Sequence, residues 1–207
     1  MSAALLDPVL VAGVTPRPPQ QVAVDRLRAV YGRHRRAQVR MACGVGKTHV
    51  GIFTAAAVAA RRVVVAVPSL SLVDQTLRAW MPFLGKGAQT VAVCSAEGLF
   101  PGSEAAVGPR VITTDPGRIG FLLERDAATL VVATYASLPR VAAAARDSVA
   151  VIDLLVLDEA HHLTGHLTPG ERDALDDTRF PAARRLAMTA TPVIATQACL
   201  LYTSRCV

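Results

Sequence analysis

Lysine, aromatic residues and paired cysteines are all scarce in this sequence. Only Lys47 and Lys86 among the 22 basic residues are lysines, and aromatic residues make up 4% of the chain. The four cysteines, at positions 43, 94, 199 and 206, form no C-x-x-C pair. The chain therefore offers no disulfide framework, and this cysteine usage predicts a reducing, cytoplasmic setting.

The sequence also lacks a signal for membrane insertion. The apolar run from Val50 to Val67 is interrupted by Arg61 and Arg62, and a helix followed by a strand explains it better than a membrane span. The N-terminal segment has no positively charged region ahead of its apolar residues, so it does not resemble a signal peptide. We expect no membrane partner.

The chain is rich in hydrophobic residues and carries a net positive charge. Hydrophobic residues make up 52% of the 207 residues, which is ample for a globular core. The net charge is +6 and the isoelectric point is near 9.7. This balance favours a polyanionic partner, of which nucleic acid is the commonest, although an arginine-rich and alanine-rich composition could produce it without any such function.

A glycine-containing loop after the first predicted strand resembles a phosphate-binding loop. Gly44 and Gly46 would let backbone N–H groups surround an anionic oxygen, and the helix beginning near Lys47 adds the positive end of its dipole. Lys47 would reach the β- and γ-phosphates of a nucleotide, and the hydroxyl of Thr48 would bind Mg²⁺. A lysine here is informative in a chain that otherwise uses arginine. Because Met41 replaces the first glycine of the pattern, an ordinary glycine turn is the alternative.

Two adjacent carboxylates follow a wholly apolar strand in the second half of the chain. The strand Leu154 to Leu157 ends at Asp158, which could hold Mg²⁺, and Glu159 could orient an attacking water molecule. Acidic residues also favour the N-terminus of a helix, so the pair alone leaves that alternative open. Together with the glycine loop, the pair predicts a nucleotide site.

Strand and helix patterns alternate through the chain and predict an α/β domain with a mostly parallel sheet covered by helices on both faces. In such sheets, ligands bind beyond the carboxyl ends of the strands. The predicted strands are residues 37–41, 63–67, 90–94, 111–113, 129–134, 154–157 and 184–188, and the predicted helices are 20–31, 48–60, 71–80, 116–123 and 138–146. Residues 95–109 have no clear pattern.

Six segments in this order resemble the first RecA-like domain of superfamily 2 helicases and translocases, including DEAD/DEAH-box proteins and the ATPase subunits of type III restriction enzymes. The resemblance covers roughly residues 17–192. A residue other than glycine at the Met41 position is ordinary in that family. The segments are Arg17-Pro18-Pro19-Gln20, the loop from Met41 to Thr48, the stretch from Val67 to Thr76, the stretch from Ala133 to Leu138, Asp158-Glu159-Ala160-His161, and Thr189-Ala190-Thr191-Pro192.

The resemblance implies an ATP site with Mg²⁺ as its metal cofactor. Within it, Arg17 and Gln20 belong to the segment that reads adenine, with Gln20 pairing with the base edge. The catalytic residues would be Lys47, Asp158 and Glu159, and the metal ligands Thr48 and Asp158. The phosphate loop itself would comprise Cys43, Gly44, Val45, Gly46, Lys47 and Thr48.

The resemblance also implies contacts to one nucleic-acid strand and a relay between domains. Ser69, Gln75 and Thr134 would contact the strand, chiefly its phosphates. His161, Thr189 and Thr191 would couple the γ-phosphate to domain movement. Simpler explanations remain open at this stage, with Ser69 as a helix cap, Thr134 as a strand end and Thr189 as a turn residue.

The family pattern predicts three parts of the chain: a flexible lead-in at residues 1–16, the ATP-binding domain at 17–192, and a tail at 193–207 without family character. We expect that tail to come from truncation or read-through. A motor of this class needs a second RecA-like domain that supplies an arginine finger, and Arg184 and Arg185 are unsuited to that role because they start a strand. The fragment would then bind nucleotide and hydrolyse it poorly.

The sequence therefore predicts the ATP-binding domain of a nucleic-acid-dependent ATPase, a helicase or translocase acting on double-stranded DNA. Two other functions remain open. One is a nucleic-acid-binding module that uses ATP only as a structural ligand, although the Asp158 and Glu159 pair argues against it. The other is a P-loop ATPase that never acts on nucleic acid, which weak salt dependence of DNA binding would favour.

Overall fold

Strands and helices alternate along the part of the chain that the structure describes. This structure is a computed structural model, and it describes Leu5 and residues 13–42, 44–95, 110–163 and 167–190. All seven predicted strands are present. The strands are β1 (Arg36–Arg40), β2 (Arg62–Val67), β3 (Gln89–Val93), β4 (Arg110–Ile112), β5 (Thr129–Thr134), β6 (Leu154–Leu157) and β7 (Arg185–Thr189). The helices are α1 (Pro18–Tyr31), α2 (Lys47–Ala57), α3 (Leu70–Trp80), α4 (Pro116–Glu124), α5 (Leu138–Asp147) and α6 (Pro169–Leu175).

The strands form one sheet in the order β1-β7-β6-β2-β5-β3-β4, and every neighbouring pair is parallel. At the centre of the sheet, Val65 of β2 lies opposite Val132 of β5 and Val156 of β6. Since all strands run the same way, their carboxyl ends meet at one edge. The predicted fold class is confirmed, and this edge is where the site develops.

Helices cover both faces of the sheet because its central strands are apolar on both sides. Along β2, Val63, Val65 and Val67 pack with α1, α2 and α3, whereas Val64 and Ala66 pack with α4, α5 and α6. All of these β2 side chains are essentially inaccessible to solvent. A strand buried on both faces needs no alternation of polar and apolar residues, which accounts for the continuous apolar runs in the sequence.

Three local features differ from the sequence expectations. Helix α2 ends at Ala57 rather than residue 60, because Ala59 adopts a left-handed backbone with φ of 49° that cannot continue the helix. Helix α6 was not predicted, although Thr168 and Glu171 form its capping box. In the expected lead-in, Leu5 is buried, its N–H donates to the Ala60 carbonyl and its own carbonyl accepts from the N–H of Gly85.

Most of the stretch without a clear pattern, residues 96–109, lies outside the described residues, as does the tail at 193–207.

No helix among the described residues has the length and apolar character needed to cross a membrane.

A buried arginine anchors the amino-terminal end of β7, opposite the carboxyl edge. Arg185 is 1% exposed, and its guanidinium donates to the carbonyls of Ala174 at 3.0 Å, Asp176 at 3.2 Å and Phe180, and to the Asp177 carboxylate. Burial lowers the pKa of Arg185 to about 10, while Asp177 opposes that change. Arg185 therefore stays charged at neutral pH and ties the segment after α6 to the sheet.

Replacing this arginine should destabilise the fold. We expect Arg185→Met to lower the free energy of unfolding by about 2–4 kcal/mol, because it leaves buried carbonyl groups without donors. The control is Arg179→Met, since the Arg179 side chain is 60% exposed although it pairs with Asp173 and Asp176. An exposed pair of this kind contributes less than about 1 kcal/mol. Urea unfolding measures both changes, and equal losses would contradict the anchoring role.

Candidate nucleotide and nucleic-acid site

Five predicted site segments leave the sheet at its carboxyl edge, on five strands that are neighbours in space. The glycine loop follows β1, Thr189 ends β7 and Asp158 follows β6. The next two strands in the sheet are β2, which is followed shortly by Ser69, and β5, which ends at Thr134. The glycine loop, the coupling residue Thr189 and Asp158 are thus carried by three consecutive strands, and the segments expected to contact nucleic acid by the adjoining two.

The glycine loop has the backbone shape that its sequence predicts. Gly44 and Gly46 have φ of 80° and 90°, in the left-handed region that favours glycine. Gly46 is the N-cap of α2, so Lys47 is the first residue of that helix and Thr48 the second. Lys47 is 8% exposed, whereas Val45 and Thr48 are half-buried. The positive end of the helix and the lysine ammonium therefore lie at the same place, while Cys43 lies outside the described residues.

The side chain of Gln20 forms hydrogen bonds to the backbone of the glycine loop, a contact that the sequence did not reveal. Its side-chain amide donates to the carbonyls of Val45 at 3.0 Å and Gly46 at 3.3 Å. Its carbonyl oxygen accepts from the backbone N–H of Arg17 at 2.9 Å. Gln20 is 5% exposed, whereas Arg17 is exposed. Both ends of the amide that was expected to pair with adenine are engaged within the protein here.

The contact between Gln20 and the loop also explains why glycine is needed at position 46. A Cβ atom on Gly46 would collide with Nε2 of Gln20, and the positive φ would strain any other residue. At Gly44, by contrast, the φ of 80° is what disfavours a side chain, since among the described residues no atom beyond the chain neighbours lies within 4 Å of such a Cβ. Gly46 is therefore required for both shape and space.

The two carboxylates beyond β6 lie in an unusual backbone conformation. Glu159 has φ of 50°, which is uncommon for a residue with a side chain and typically costs about 1–3 kcal/mol. The N–H of Glu159 donates to Oδ1 of Asp158 at 2.9 Å, and the N–H of Asp158 donates to the Ala66 carbonyl at 2.9 Å. These bonds hold the two carboxylates at the tip of the strand despite the strain.

Glu159 is the centre of a polar chain that joins three strands. Its Oε1 lies 3.7 Å from Nζ of Lys47, and its Oε2 lies 3.2 Å from Nδ1 of His161. The hydroxyl of Thr189 lies 3.4 Å from the same imidazole nitrogen. The structure thus brings together residues of three predicted segments, namely Lys47, Glu159 with His161, and Thr189, whereas Thr191 lies outside the described residues.

Burial changes the acidity of two groups at this site. Burial raises the pKa of the Asp158 carboxyl above its ordinary 3.8, while the hydrogen bond from the Glu159 backbone opposes that rise. Burial also raises the pKa of the Tyr135 hydroxyl well above 10, and the nearby Asp158 carboxylate adds to that effect. Tyr135 therefore remains a hydrogen-bond donor, and it donates to the backbone carbonyl of Asp158 at 2.7 Å. Nothing in the sequence signalled this bond.

The residues expected to contact nucleic acid differ in their accessibility. Gln75 is exposed on α3, and Ser69 is half-buried. Ser69 occupies the N-cap position of α3, but its hydroxyl pairs with that of Ser71 at 3.0 Å rather than with the helix backbone. Thr134 is 8% exposed and its hydroxyl donates to the Ser137 hydroxyl at 3.0 Å. Its side chain therefore stabilises the turn after β5.

A cleft of about 400 Å³ lies where α1 meets the end of β1, beside the start of the glycine loop. Its lining is largely apolar, with two arginines. The lining residues are Pro18, Pro19, Val22, Ala23, Arg26, Val39, Arg40 and Met41.

Within the described ranges, no group of three or more histidine, cysteine, aspartate or glutamate side chains could hold a metal by itself. Thr48, at the start of α2, and Asp158, after β6, each supply oxygen atoms at the carboxyl edge of the sheet. Mg²⁺ commonly binds through one or two protein oxygens, with water and phosphate oxygens completing its shell. The donor set therefore fits Mg²⁺ bound together with a nucleotide.

The sheet order, the glycine loop and the carboxylates after β6 define a RecA-like α/β domain of the P-loop class. Within that class, the chain belongs to the family described as type III restriction enzyme, res subunit, whose family model matches residues 13–194. No curated protein matches the sequence significantly.

Solved structures of similar proteins agree with this family. A nuclease-deletion mutant of the Type ISP restriction-modification enzyme LlaGI, in complex with a DNA substrate mimic, is 26% identical, with a TM-score of 0.72 over 88% of this chain. The ATP-dependent Type ISP enzyme LlaBIII bound to DNA is 28% identical, with a TM-score of 0.70 over 86%. This chain spans only 18% and 13% of those two proteins. The SWI2/SNF2 ATPase core of Sulfolobus solfataricus in complex with dsDNA shares the fold, at 17% identity and a TM-score of 0.59, over 98% of this chain and 36% of its own.

The raised pKa of the Asp158 carboxyl predicts how stability depends on pH. Because its folded pKa exceeds the unfolded value, the cost of the charged form is absent below about pH 4, grows as the pH rises toward the raised pKa and is complete above that pKa. Asp158→Asn removes that charge but keeps an oxygen that can accept from Glu159. In EDTA, we expect this variant to have a higher Tm than the unsubstituted chain at pH 7, with the difference shrinking toward pH 4.

The matched control is Asp25→Asn, since Asp25 is exposed on α1. It should show no such gain in Tm at pH 7. A Tm for Asp158→Asn at or below that of the unsubstituted chain at pH 7 would contradict the cost assigned to burial of the Asp158 charge.

Proposed function

We propose that this chain is the Mg-ATP-binding domain of a nucleic-acid-dependent ATPase, a helicase or translocase that acts on DNA. The approach of the buried Lys47 ammonium to Glu159, at 3.7 Å across the edge of the sheet, carries the proposal. An isolated buried lysine is costly, and a phosphate chain entering between these two groups would give Lys47 its partner and release Glu159.

In this proposal the loop residues bind and orient the triphosphate. The amides of residues 44–48 and the N-terminus of α2 face the phosphates, and Lys47 contacts the β- and γ-phosphates. Thr48 and Asp158 hold Mg²⁺, which supplies positive charge to offset the charge that develops on the phosphate oxygens. Burial of Asp158 makes its charge unfavourable without a cation, which supports its assignment as a metal ligand.

Glu159 is proposed to orient the attacking water through its carboxylate. His161 holds one oxygen of that carboxylate at 3.2 Å and Thr189 lies beside His161, so these two residues control where the carboxylate points. Thr189 is the last residue of β7, and through it the state of the γ-phosphate would reach the segment that contains Thr191. The three side chains thus act as one unit at the end of β6 and β7.

The nucleoside is proposed to lie against Arg17 and the cleft beside α1. The cleft adjoins Met41, where the loop begins, and its apolar lining suits a base. Since the Gln20 amide bonds the loop, pairing with adenine would exchange those bonds for bonds to the base edge. Base recognition and loop position would then depend on the same side chain.

Nucleic acid is proposed to bind at the neighbouring part of the edge, where Ser69, Gln75 and the turn after Thr134 lie. The net charge of +6 favours such a partner. The similar enzymes LlaGI and LlaBIII were determined with a DNA substrate mimic and with DNA, which supports DNA as the substrate class, and double-stranded DNA is part of our proposal. Efficient turnover would also need a second RecA-like domain to supply an arginine to the γ-phosphate, so this chain alone should hydrolyse ATP poorly.

The two lysines of the chain provide a direct test of the nucleotide site. We expect Lys47→Ala to weaken Mg-ATP binding by about 2–5 kcal/mol, because a buried charge contact to phosphate is lost. Lys86→Ala should leave binding unchanged, since Lys86 is exposed near β3. Titration of a fluorescent ATP analogue measures both affinities. Tight binding by Lys47→Ala would refute the assignment.

A second substitution separates binding from chemistry. Glu159→Gln should retain nucleotide binding, since the amide keeps the size of the side chain, but it should reduce turnover in the full enzyme by about 10²–10⁴-fold. Single-turnover hydrolysis measures this loss. Unchanged turnover would remove Glu159 from the proposed mechanism and would favour a site that uses ATP only as a structural ligand.

A salt titration distinguishes this proposal from a P-loop ATPase that does not act on nucleic acid. Neutralisation of DNA phosphates releases counterions, so the logarithm of the affinity should fall steeply and linearly with the logarithm of the salt concentration. DNA binding that is absent, or insensitive to salt, would favour the other function.

A further inference from the structure

We propose that Tyr135 is a positioning residue that links nucleic-acid binding to the two carboxylates at the nucleotide site. This inference rests on the proposed function and adds to it the route by which the two sites communicate. Tyr135 immediately follows Thr134 at the end of β5, within the segment proposed to contact a nucleic-acid strand. Its side chain faces inward and is 4% exposed, whereas the next residue, Ala136, is exposed.

The Tyr135 hydroxyl reaches the peptide group that connects the two carboxylate residues. It donates to the carbonyl of Asp158 at 2.7 Å. The N–H on the other side of the same peptide, that of Glu159, donates to Oδ1 of Asp158 at 2.9 Å. The plane of this peptide is therefore held at both ends, by Tyr135 on the carbonyl and by the Asp158 carboxylate on the N–H.

The orientation of that peptide determines where both carboxylates point. Glu159 has φ of 50°, a conformation that an L-residue keeps only when its surroundings impose it. A rotation of the peptide would move Glu159 relative to Lys47 and His161, with which its two oxygens now pair. The Tyr135 hydroxyl is thus a single contact through which the turn after β5 can alter the catalytic geometry.

The turn that carries Tyr135 is also confined from its other side. Residues 135–137 form one turn of 3-10 helix, and Gly170 of α6 packs directly against its first carbonyl. A Cβ atom on Gly170 would overlap the carbonyl oxygen of Tyr135 and lie 3.0 Å from Cδ of Pro139. With so little space, a strand that displaces this turn has to move the Tyr135 side chain as well.

A matched pair of substitutions tests this role. Tyr135→Phe removes the hydroxyl and keeps the ring in the core. Tyr31→Phe is the control, because the Tyr31 hydroxyl likewise donates to a backbone carbonyl, that of Arg185 at 2.9 Å, but at the opposite end of the sheet. Each variant loses one buried hydrogen bond, so both should show similar decreases in Tm.

The measurement is the dependence of nucleotide affinity on DNA. A non-hydrolysable fluorescent ATP analogue with Mg²⁺ is titrated into the full chain, with and without saturating double-stranded DNA. We expect DNA to change the affinity of the unsubstituted chain by about fivefold or more, as is usual for coupled sites. Tyr135→Phe should reduce this factor to within about twofold of unity, while Tyr31→Phe should retain it.

A second variant approaches the same turn from α6. Gly170→Ala should also reduce the factor, since the added methyl group displaces the Tyr135 backbone. Gly120→Ala is its control, because the nearest atom to a Cβ there is the Ala144 carbonyl oxygen at 3.8 Å, an ordinary contact. The factor should be unchanged in this control.

The outcomes separate the inference from the proposed function. A DNA-dependent factor that survives Tyr135→Phe would overturn the role of Tyr135 and leave the proposed function intact. An equal loss in Tyr31→Phe would show that stability, not position, sets the factor, and would also overturn the role. If the unsubstituted chain binds nucleotide with no dependence on DNA, the nucleic-acid dependence in the proposed function and the inference built on it are both contradicted.

Discussion

The parallel alignment of seven strands, of which the central ones are buried on both faces, is the constraint on which the rest of the structure depends. Because of this alignment, all the strand ends that are followed by polar motifs lie at the carboxyl edge of the sheet. The order of the strands then sorts these motifs, with the glycine loop, Thr189 and Asp158 on neighbouring strands and Ser69 and Thr134 on the next two. Strands β6 and β2 are adjacent, so the two halves of the edge meet without an intervening element. Nucleotide and nucleic-acid contacts can therefore be neighbours on a single rigid sheet.

The same edge concentrates features that oppose folding. Asp158 carries a charge that burial disfavours, Lys47 is almost wholly buried, and Glu159 adopts a left-handed backbone. Hydrogen bonds and ion pairs within the site offset these costs, and the anchoring of β7 by Arg185 lies at the other end of the sheet. Such a distribution, with strain at one end and firm anchoring at the other, is typical of a site whose geometry is maintained for function.

Much of the fold follows from the sequence because the strands are continuous apolar runs and the connecting helices are amphipathic. All seven strands were predicted, and the glycine and acidic motifs located the edge of the sheet. Side-chain contacts between distant residues were not predictable in this way. The Gln20 amide bonds the loop 25 residues later, and the Tyr135 hydroxyl bonds Asp158 23 residues later. Propensity and spacing report on neighbours in the chain, whereas these bonds depend on how whole elements pack. The helix α6 was missed because only seven residues form it.

The central claim is that one sheet edge binds nucleotide and nucleic acid side by side. The most direct measurement is a pair of ¹H–¹⁵N spectra of the chain, recorded on addition of Mg²⁺ with a non-hydrolysable ATP analogue and then of double-stranded DNA. The account predicts that the nucleotide shifts the amides of Gly44, Gly46 and Glu159, and that DNA shifts those of residues 69–71 and 134–138. A nucleotide that leaves the glycine amides unchanged, or DNA that perturbs only residues away from this edge, would contradict it.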